Sequence, residues 1–370
     1  MIDTLSLADR IRERIRREGP ITFSEWMRMA LYDEREGYYC RTDHQKWGRA
    51  GDYRTSPERS SLFAATFAAY FAGLYEELGK PPEWTIVETG AGDGRFAFGV
   101  LQTLQRGFPF VLSATHYVID EAGPHSRSLA RERLQEFADE VSYQALDAVE
   151  VNRGVVFSNE LLDAFPVHRV VMQQGQLREF YVTEGPGEDF EWTIGAPSTP
   201  RLADYFAQSQ IQLTEGRIAE VNLEIEKWVT TVFNRLKAGY LITVDYGATA
   251  EDLYSSAARE QGTLRSFSQH KLVENVLAQP GEQDITTTID WSSMQNIGTR
   301  LGFETIEFER QDKFLLAAGL LNELEVEIER CESEADKLRL STAAREMILP
   351  DSMAAHFQVL VQKKTCKANC

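Results

Sequence analysis

The chain has 370 residues, of which 43% are hydrophobic and 26% are charged, and its formal net charge is -18. This composition is typical of a globular protein with one large domain or two. The acidic balance argues against a general nucleic-acid-binding protein, which needs basic patches, although it is compatible with a basic partner. No apolar run reaches the roughly eighteen residues of a membrane-spanning helix, so membrane insertion is not expected.

The cysteines, the histidines and the N-terminal segment bear on disulfide bonds, metal binding and cellular location. The four cysteines are scattered without the spacing of a zinc site or a disulfide framework, which is typical of free thiols in a reducing compartment. The histidines are isolated from one another, so no metal site is predicted. The N-terminal segment contains Asp3, Asp9, Glu13 and Glu18, and this acidity argues against a transit peptide. We therefore expect a cytoplasmic protein.

The first eighty residues are predicted to form a helical N-terminal lead. Apolar residues recur at helical spacing before Gly19-Pro20, where a first helix is expected to end. A second helix is predicted to begin at Thr22 or Ser24, either of which can cap it. A strongly apolar third helix is predicted from Ser61 to Leu78, and its aromatic side chains are expected to pack in a core.

From Trp84 onward the chain alternates short apolar strands with helices, which is the pattern of a parallel α/β sheet. Residues 81–370 are therefore predicted to form a doubly wound, Rossmann-like core. A predicted hairpin and the helices after it form an α/β insertion at about residues 166–222. A closing antiparallel strand is predicted from Phe357 to Gln362. The predicted parallel strands are Trp84 to Val87, Thr115 to Ile119, Val141 to Leu146, Gly154 to Ser158 and Tyr240 to Asp245.

The stretch WTIVETGAGDGR, from Trp84 to Arg95, places three glycines between a strand and a helix. Such a turn lets backbone N–H groups and a helix N-terminus approach a ligand closely. A dinucleotide fingerprint would need a glycine where Arg95 stands. The pattern E-x-G-x-G-x-G is instead that of the S-adenosylmethionine loop of class I methyltransferases, with a dinucleotide loop and a ligand-free turn as alternatives. The predicted cofactor-binding residues here are Glu88, Gly90, Ala91, Gly92 and Gly94.

Acidic residues follow the next two predicted strands. In a doubly wound sheet the ligand lies beyond the carboxyl ends of the strands. Asp120 and Glu121 stand where a carboxylate would accept hydrogen bonds from ribose hydroxyls, and a surface acidic pair is the alternative. Asp147, after the third strand, is a candidate to contact the adenine amino group.

Three polar side chains follow the fourth predicted strand, namely Asn159, Glu160 and Asp163. In a methyltransferase this position holds the methyl acceptor against the cofactor. We therefore predict these residues as catalytic, and Asn159 also as a cofactor contact. A helix N-cap is the alternative role for Asn159 or Asp163.

Several segments, in this order and over most of the chain, resemble the MidA-like family of class I methyltransferases. That family includes the mitochondrial complex I assembly methyltransferase that modifies a protein arginine. The matching segments are ALYDEREGYY (Ala30 to Tyr39), GDYRTSPE (Gly51 to Glu58), ETGAGDG (Glu88 to Gly94), SNELLDAFPV (Ser158 to Val167), GYLITVDYG (Gly239 to Gly247), GTLRSF (Gly262 to Phe267), PGEQDITTTIDW (Pro280 to Trp291), QDKFLLAAG (Gln311 to Gly319) and MAAHFQVL (Met353 to Leu360).

The resemblance implies a mostly parallel seven-stranded sheet flanked by helices, with S-adenosylmethionine as the cofactor. It also implies a protein arginine N-methyltransferase that acts on a partner such as a respiratory complex I subunit during assembly. Asp52 and Thr55 of the lead would then line the cofactor site, and Glu160 and Asp163 would grip the guanidinium of the acceptor. A small-molecule methyltransferase and a non-catalytic assembly factor that binds S-adenosylmethionine are the alternatives.

Overall fold

The computed structural model describes residues 5–41, 61–187, 189–268, 271–349 and 356–366. The chain divides into two compact units, each built from several segments. The first, which we call the hairpin unit, comprises residues 1–53, 162–228 and 247–296. The second, which we call the sheet unit, comprises residues 54–161, 229–246 and 297–370. The domain boundary predicted at residue 80 stays a prediction. The first division between the two compact units falls instead between residues 53 and 54.

The helices and strands alternate through much of the chain. The helices are α1 (Leu7–Glu18), α2 (Phe23–Tyr32), α3 (Ser61–Glu77), α4 (Arg95–Gly107), α5 (Pro109–Ala114), α6 (Pro124–Arg133), α7 (Arg201–Gln208), α8 (Glu224–Arg235), α9 (Ala250–Tyr254), α10 (Trp291–Leu301), α11 (Gln311–Ala317), α12 (Leu320–Glu329) and α13 (Glu334–Ile348). The strands are β1 (Ile21–Thr22), β2 (Trp84–Thr89), β3 (Thr115–Asp120), β4 (Val141–Tyr143), β5 (Val151–Asn159), β6 (His168–Gln173), β7 (Gln176–Glu184), β8 (Phe190–Gly195), β9 (Ile218–Val221), β10 (Leu236–Ala248), β11 (Arg265–Ser268), β12 (Lys271–Leu272), β13 (Asp284–Thr286), β14 (Ile289–Asp290), β15 (Glu304–Arg310) and β16 (Phe357–Lys364).

The sheet unit is organised by strands in the order β15-β16-β10-β5-β2-β3-β4. The run from β10 to β4 is parallel throughout, and β16 lies antiparallel between β10 and β15. The predicted Rossmann-like class, the mostly parallel sheet and the antiparallel strand from Phe357 are confirmed. The sheet has eight strands rather than the predicted seven, because the short strand β14 pairs in parallel with the end of β10. Strand order reverses between β2 and β5, and ligands of doubly wound sheets bind at that point.

An aromatic core fixes the helix that follows the glycine loop against this sheet. The rings of Phe96 in α4 and Phe157 in β5 stack with centroids 4.4 Å apart and planes inclined by 9°. Phe67 and Phe71 of α3 pack edge-on against Phe157, which is fully buried. The aromatic residues of α3 are therefore core residues, as predicted. This packing places α3 in the sheet unit.

The hairpin unit contains the two N-terminal helices and a mixed set of short strands. β1, β7, β6 and β9 form one antiparallel sheet in that order, with β8 paired to β7. Thr22, rather than Ser24, caps α2, and it forms a reciprocal capping box with Glu25. Leu7, Ile11 and Ile15 are the buried residues of α1. The short strands β11, β12 and β13 form a second sheet of this unit.

Candidate functional site

The glycine loop connects β2 to α4 through three left-handed residues. Gly90, Gly92 and Gly94 have φ angles of 72°, 56° and 77°, a region that side chains other than glycine rarely adopt. A Cβ atom on Gly94 would lie 3.0 Å from the Cβ of Ala130 and 3.1 Å from its Cα. The first turn of α4 is therefore held close to α6, and only glycine fits this position.

Leu161 packs against the first glycine of this loop. A Cβ atom on Gly90 would lie 2.9 Å from Cδ1 of Leu161. Leu161 directly follows Glu160, so the loop after β2 and the turn after β5 share a packing contact. The structure thus brings two predicted parts of the site together at the strand-order reversal.

Glu88 lies buried at the end of β2. The hydroxyl of Tyr117 donates a 2.7 Å hydrogen bond to Glu88 Oε2. Burial raises the pKa of Glu88 to about 8; the Tyr117 hydrogen bond opposes this rise, and the negative charges of Glu121 and Asp93 add to it. Glu88 is therefore a neutral acid near pH 7 that joins β2 to β3. Its predicted contact with a cofactor stays a prediction.

The two acids after β3 have different surroundings. Glu121 accepts hydrogen bonds from two backbone N–H groups, with 2.8 Å from Gly92 N to Oε2 and 2.7 Å from Gly123 N to Oε1. Burial raises the pKa of Asp120 to about 6, a backbone hydrogen bond from Leu146 opposes the rise, and the charge of Asp147 adds to it. Glu121 thus tethers the glycine loop, whereas Asp120 and Asp147 are near enough to repel each other.

Two of the three predicted catalytic residues are neighbours at the end of β5, where Asn159 is the last residue of the strand and Glu160 follows it. Glu160 has a φ angle of +52°, which is rare for a residue with a side chain. Its backbone N–H donates to the carbonyl of Val244 (2.9 Å), and its Oε1 accepts from Asn159 Nδ2 (3.2 Å). Asn159 Oδ1 is buried and accepts no hydrogen bond from the part of the chain that the structure describes. The structure therefore brings Asn159 and Glu160 together.

Asp163 belongs to the hairpin unit. It is 4% exposed, in a single turn of 3-10 helix, Leu162–Ala164. Its backbone carbonyl accepts a 2.9 Å hydrogen bond from the N–H of Thr287. The predicted catalytic role of Asp163 stays a prediction.

Asp245 in β10 is a fully buried acid that was not among the predicted site residues. Its Oδ2 accepts from the backbone N–H of Leu161 (3.2 Å), and its Oδ1 accepts from the N–H of Tyr246 (2.9 Å). The sequence signal that could have identified it is a carboxylate at the end of an otherwise apolar strand. A buried carboxylate needs hydrogen-bond donors, so its position indicates that backbone N–H groups lie close to it.

The remaining predictions concern two residues of the N-terminal lead, metal binding and membrane insertion. Asp52 and Thr55 lie outside the described residues. Within the described ranges, no group of histidine, cysteine, aspartate and glutamate side chains could hold a metal ion. No described helix combines the length and the apolar character needed to cross a membrane.

Comparison with known proteins supports a single family. Residues 66–309 match the model of a family described as S-adenosyl-L-methionine-dependent methyltransferases. The Drosophila melanogaster protein named protein arginine methyltransferase NDUFAF7 homolog, mitochondrial, is 26% identical over 95% of this chain and 86% of its own length. The human protein arginine methyltransferase NDUFAF7, mitochondrial, is 24% identical over 93% of this chain and 80% of its own.

A solved structure extends this similarity to the fold and the cofactor. A Burkholderia thailandensis protein bound to S-adenosyl-homocysteine superposes with a TM-score of 0.87 and 29% sequence identity. The match covers 98% of this chain and 92% of that one. These comparisons show S-adenosyl-L-methionine as the cofactor of this chain, as predicted from the glycine loop.

The comparison with curated relatives shows that the expected cytoplasmic location is wrong. The curated relatives from fly, frog and human are named as mitochondrial proteins. The acidic N-terminal segment and the free cysteines were therefore not sufficient grounds for a location.

The residues of the sheet unit fit S-adenosyl-L-methionine. The loop of left-handed glycines leaves no Cβ between the backbone and a ligand. Asp120 is a carboxylate at the end of β3, and Asn159 Oδ1 is a buried acceptor without a partner among the described residues. Hydroxyl and ammonium groups are the donors that such oxygens bind.

Proposed function

Because the chain belongs to the S-adenosyl-L-methionine-dependent methyltransferase family, we propose that it methylates an arginine side chain of a protein. The observation that carries this proposal is the similarity, over more than nine-tenths of the chain, to proteins named protein arginine methyltransferases. The acceptor implied by the sequence resemblance is a partner such as a respiratory complex I subunit during its assembly. The acidic net charge of -18 is compatible with a basic acceptor segment.

We propose that Glu160 holds the acceptor guanidinium. When bound, S-adenosyl-L-methionine supplies a methyl group on a positively charged sulfur. An arginine side chain is a poor nucleophile because its guanidinium stays protonated, with a pKa above about 12. A carboxylate that accepts two of its N–H groups fixes the plane of the guanidinium and aims the remaining nitrogen. As the methyl group is transferred, the attacking nitrogen gives up one proton to water, and the same carboxylate stabilises the methylated guanidinium cation that remains.

Asn159 and Asp163 are the other predicted contributors. The Asn159 amide donates to Glu160 Oε1 and so orients this carboxylate. Asp163 is the second carboxylate that the sequence resemblance implies for holding the guanidinium. With these groups most of the rate enhancement comes from alignment of the acceptor nitrogen.

The test is transfer of labelled methyl from S-adenosyl-L-methionine into the protein fraction of a mitochondrial lysate. Glu160→Gln removes the charge at nearly constant shape, so we expect cofactor binding to persist and the incorporated label to fall by about 100-fold or more. Glu304→Gln, an exposed glutamate of the same unit, is the matched control. Acid hydrolysis of the labelled protein should release methylarginine.

Two results would contradict the proposal. Label recovered on lysine, on a carboxylate or in the small-molecule fraction would identify a different acceptor class. Label incorporated by Glu160→Gln at the wild-type rate would remove Glu160 from the mechanism.

A further inference from the structure

Asp245 forms a clamp at the carboxyl ends of β5 and β10. Its side chain is fully buried, and its two oxygens accept from two backbone N–H groups, one in the turn after β5 and one in β10. Leu161 N donates to Oδ2 from the turn after β5, and Tyr246 N donates to Oδ1 from β10 itself. A buried carboxylate that accepts two amide hydrogen bonds binds more strongly than a neutral acceptor would. Asp245 thus fixes where the chain leaves β5.

The residue immediately before the clamped amide is Glu160, which has a φ angle of +52°. For a residue with a side chain, this left-handed conformation is unfavourable and persists only where surrounding contacts impose it. Two contacts impose it here, one on each side of the residue. The N–H of Glu160 donates to the carbonyl of Val244, and the next N–H, from Leu161, donates to Asp245. The backbone of Glu160 is therefore held between two bonds to β10.

The same clamp reaches the glycine loop through Leu161. The Leu161 side chain packs so closely on Gly90 that a Cβ atom there would lie 2.9 Å from Cδ1. The hydrogen bond from Leu161 N to Asp245 thus orients a residue that also contacts the cofactor loop. Asp245 therefore fixes the turn that carries Glu160 against the glycine loop, whose own shape is set by its left-handed glycines and by Glu121.

We propose that Asp245 is a positioning residue for methyl transfer, which acts by holding Glu160 in its left-handed turn against the glycine loop. The inference rests on the proposed role of Glu160 as the group that holds the acceptor. In this role Asp245 acts through the backbone of Leu161 and Glu160 rather than by contact with the acceptor. Its loss should therefore affect the rate through Glu160, while the cofactor still binds.

The first test is a double-mutant cycle with the labelled-methyl assay and the same lysate. Asp245→Asn keeps the shape but presents an amide with a single acceptor oxygen, so one of the two backbone bonds is lost. We expect Asp245→Asn to lower transfer by about 10-fold or more while the calorimetric Kd for S-adenosyl-L-methionine stays within about 3-fold. We expect the Glu160→Gln, Asp245→Asn double variant to be no slower than Glu160→Gln alone, because residues that act as a unit are not additive.

A second test measures stability and needs no acceptor. Glycine adopts positive φ without cost, so Glu160→Gly should no longer need the clamp. We expect Asp245→Asn to lower Tm less in the Glu160→Gly background than in the wild type. If Asp245→Asn does not fold alone, the Glu160→Gly background should restore folding. Asp312→Asn, a change at another buried aspartate of the sheet unit, is the control and should lower Tm equally in both backgrounds.

The outcomes separate the inference from the proposed function. Loss of transfer in Glu160→Gln with wild-type transfer in Asp245→Asn overturns the positioning role and leaves the proposed function in place. The positioning role is also overturned if the double variant transfers methyl more slowly than Glu160→Gln alone by the full factor seen for Asp245→Asn. An equal loss of Tm on Asp245→Asn in both backgrounds overturns it as well. Wild-type transfer in Glu160→Gln overturns the role of Glu160 and the inference with it.

Discussion

Tyr117 and Glu88 form a buried hydrogen bond of 2.7 Å between adjacent strands of the sheet. Glu88 is 5% exposed and Tyr117 is fully buried. Because water is excluded, the charged form of Glu88 is disfavoured and its pKa rises from 4.5 to about 8. Glu88, the first residue of the glycine-loop pattern, is therefore protonated near neutral pH in the folded chain.

This pKa shift predicts a pH-dependent stability. Between pH 4.5 and about 8 the folded chain keeps a proton on Glu88 that the unfolded chain releases. The contribution of Glu88 to the free energy of unfolding is therefore fully present below pH 4.5 and is lost as pH rises toward 8, with a slope of at most about 1.4 kcal/mol per pH unit. Glu88→Gln does not titrate, so in urea unfolding it should gain stability relative to wild type between pH 6 and pH 8. Equal differences at both pH values would contradict this prediction.

Gly92→Val should abolish cofactor binding in a folded protein. Gly92 has a φ angle of +56°, and its N–H donates to Glu121, so a β-branched side chain would strain the loop where the backbone meets the ligand. Gly79→Val is the matched control, since Gly79 is also left-handed, at φ +80°, but has open space around it. Calorimetry should show at least about a 100-fold weaker Kd for S-adenosyl-L-methionine in Gly92→Val alone, because the loop supplies the binding groups. Unchanged affinity would mean that the loop is only structural.

Asp120→Asn should weaken the binding of S-adenosyl-L-methionine and of S-adenosyl-homocysteine by the same factor, about 10-fold or more. The reason is that the substitution removes the charged hydrogen-bond acceptor proposed for the ribose that both ligands share. Glu121 is already engaged by Gly92 and Gly123, which favours Asp120 for this role. The pKa of Asp120, about 6, further predicts that wild-type affinity falls as pH drops below 6. Asp139→Asn, at an exposed aspartate, is the control for calorimetry. Weakening of only one of the two ligands would exclude the ribose as the partner of Asp120.

Phe157→Ala should destabilise the sheet unit by about 3–5 kcal/mol, the usual cost of emptying a buried phenylalanine site. Phe157 is fully buried, and its ring stacks on Phe96 at 4.4 Å. Phe110→Ala is the control, because that ring is 86% exposed and its loss should change stability by less than about 0.5 kcal/mol. Chemical denaturation of both variants measures the difference. Similar small losses in both would show that the aromatic core tolerates the cavity.

Local sequence patterns predicted the elements whose signals lie within a few residues. α3, at Ser61–Glu77, ends within one residue of the helix predicted from Ser61 to Leu78, and β2 runs into the glycine loop as expected. The edge strand β15 and the helices α12 and α13 were not predicted. β15 has mostly polar or exposed residues and gains its identity from pairing with β16. Such pairing is a long-range property that a short window does not carry.

The sequence by itself determined the α/β class, the cofactor loop and the acids at the strand ends, because each follows from a local run of residue types. The tertiary structure alone decided how those residues are held. Tyr117 reaches Glu88 from the next strand, and Asp245 reaches Leu161 from a strand 84 residues further along the chain. Hydrogen bonds between strands depend on strand order and register, and both are set by packing of the whole sheet.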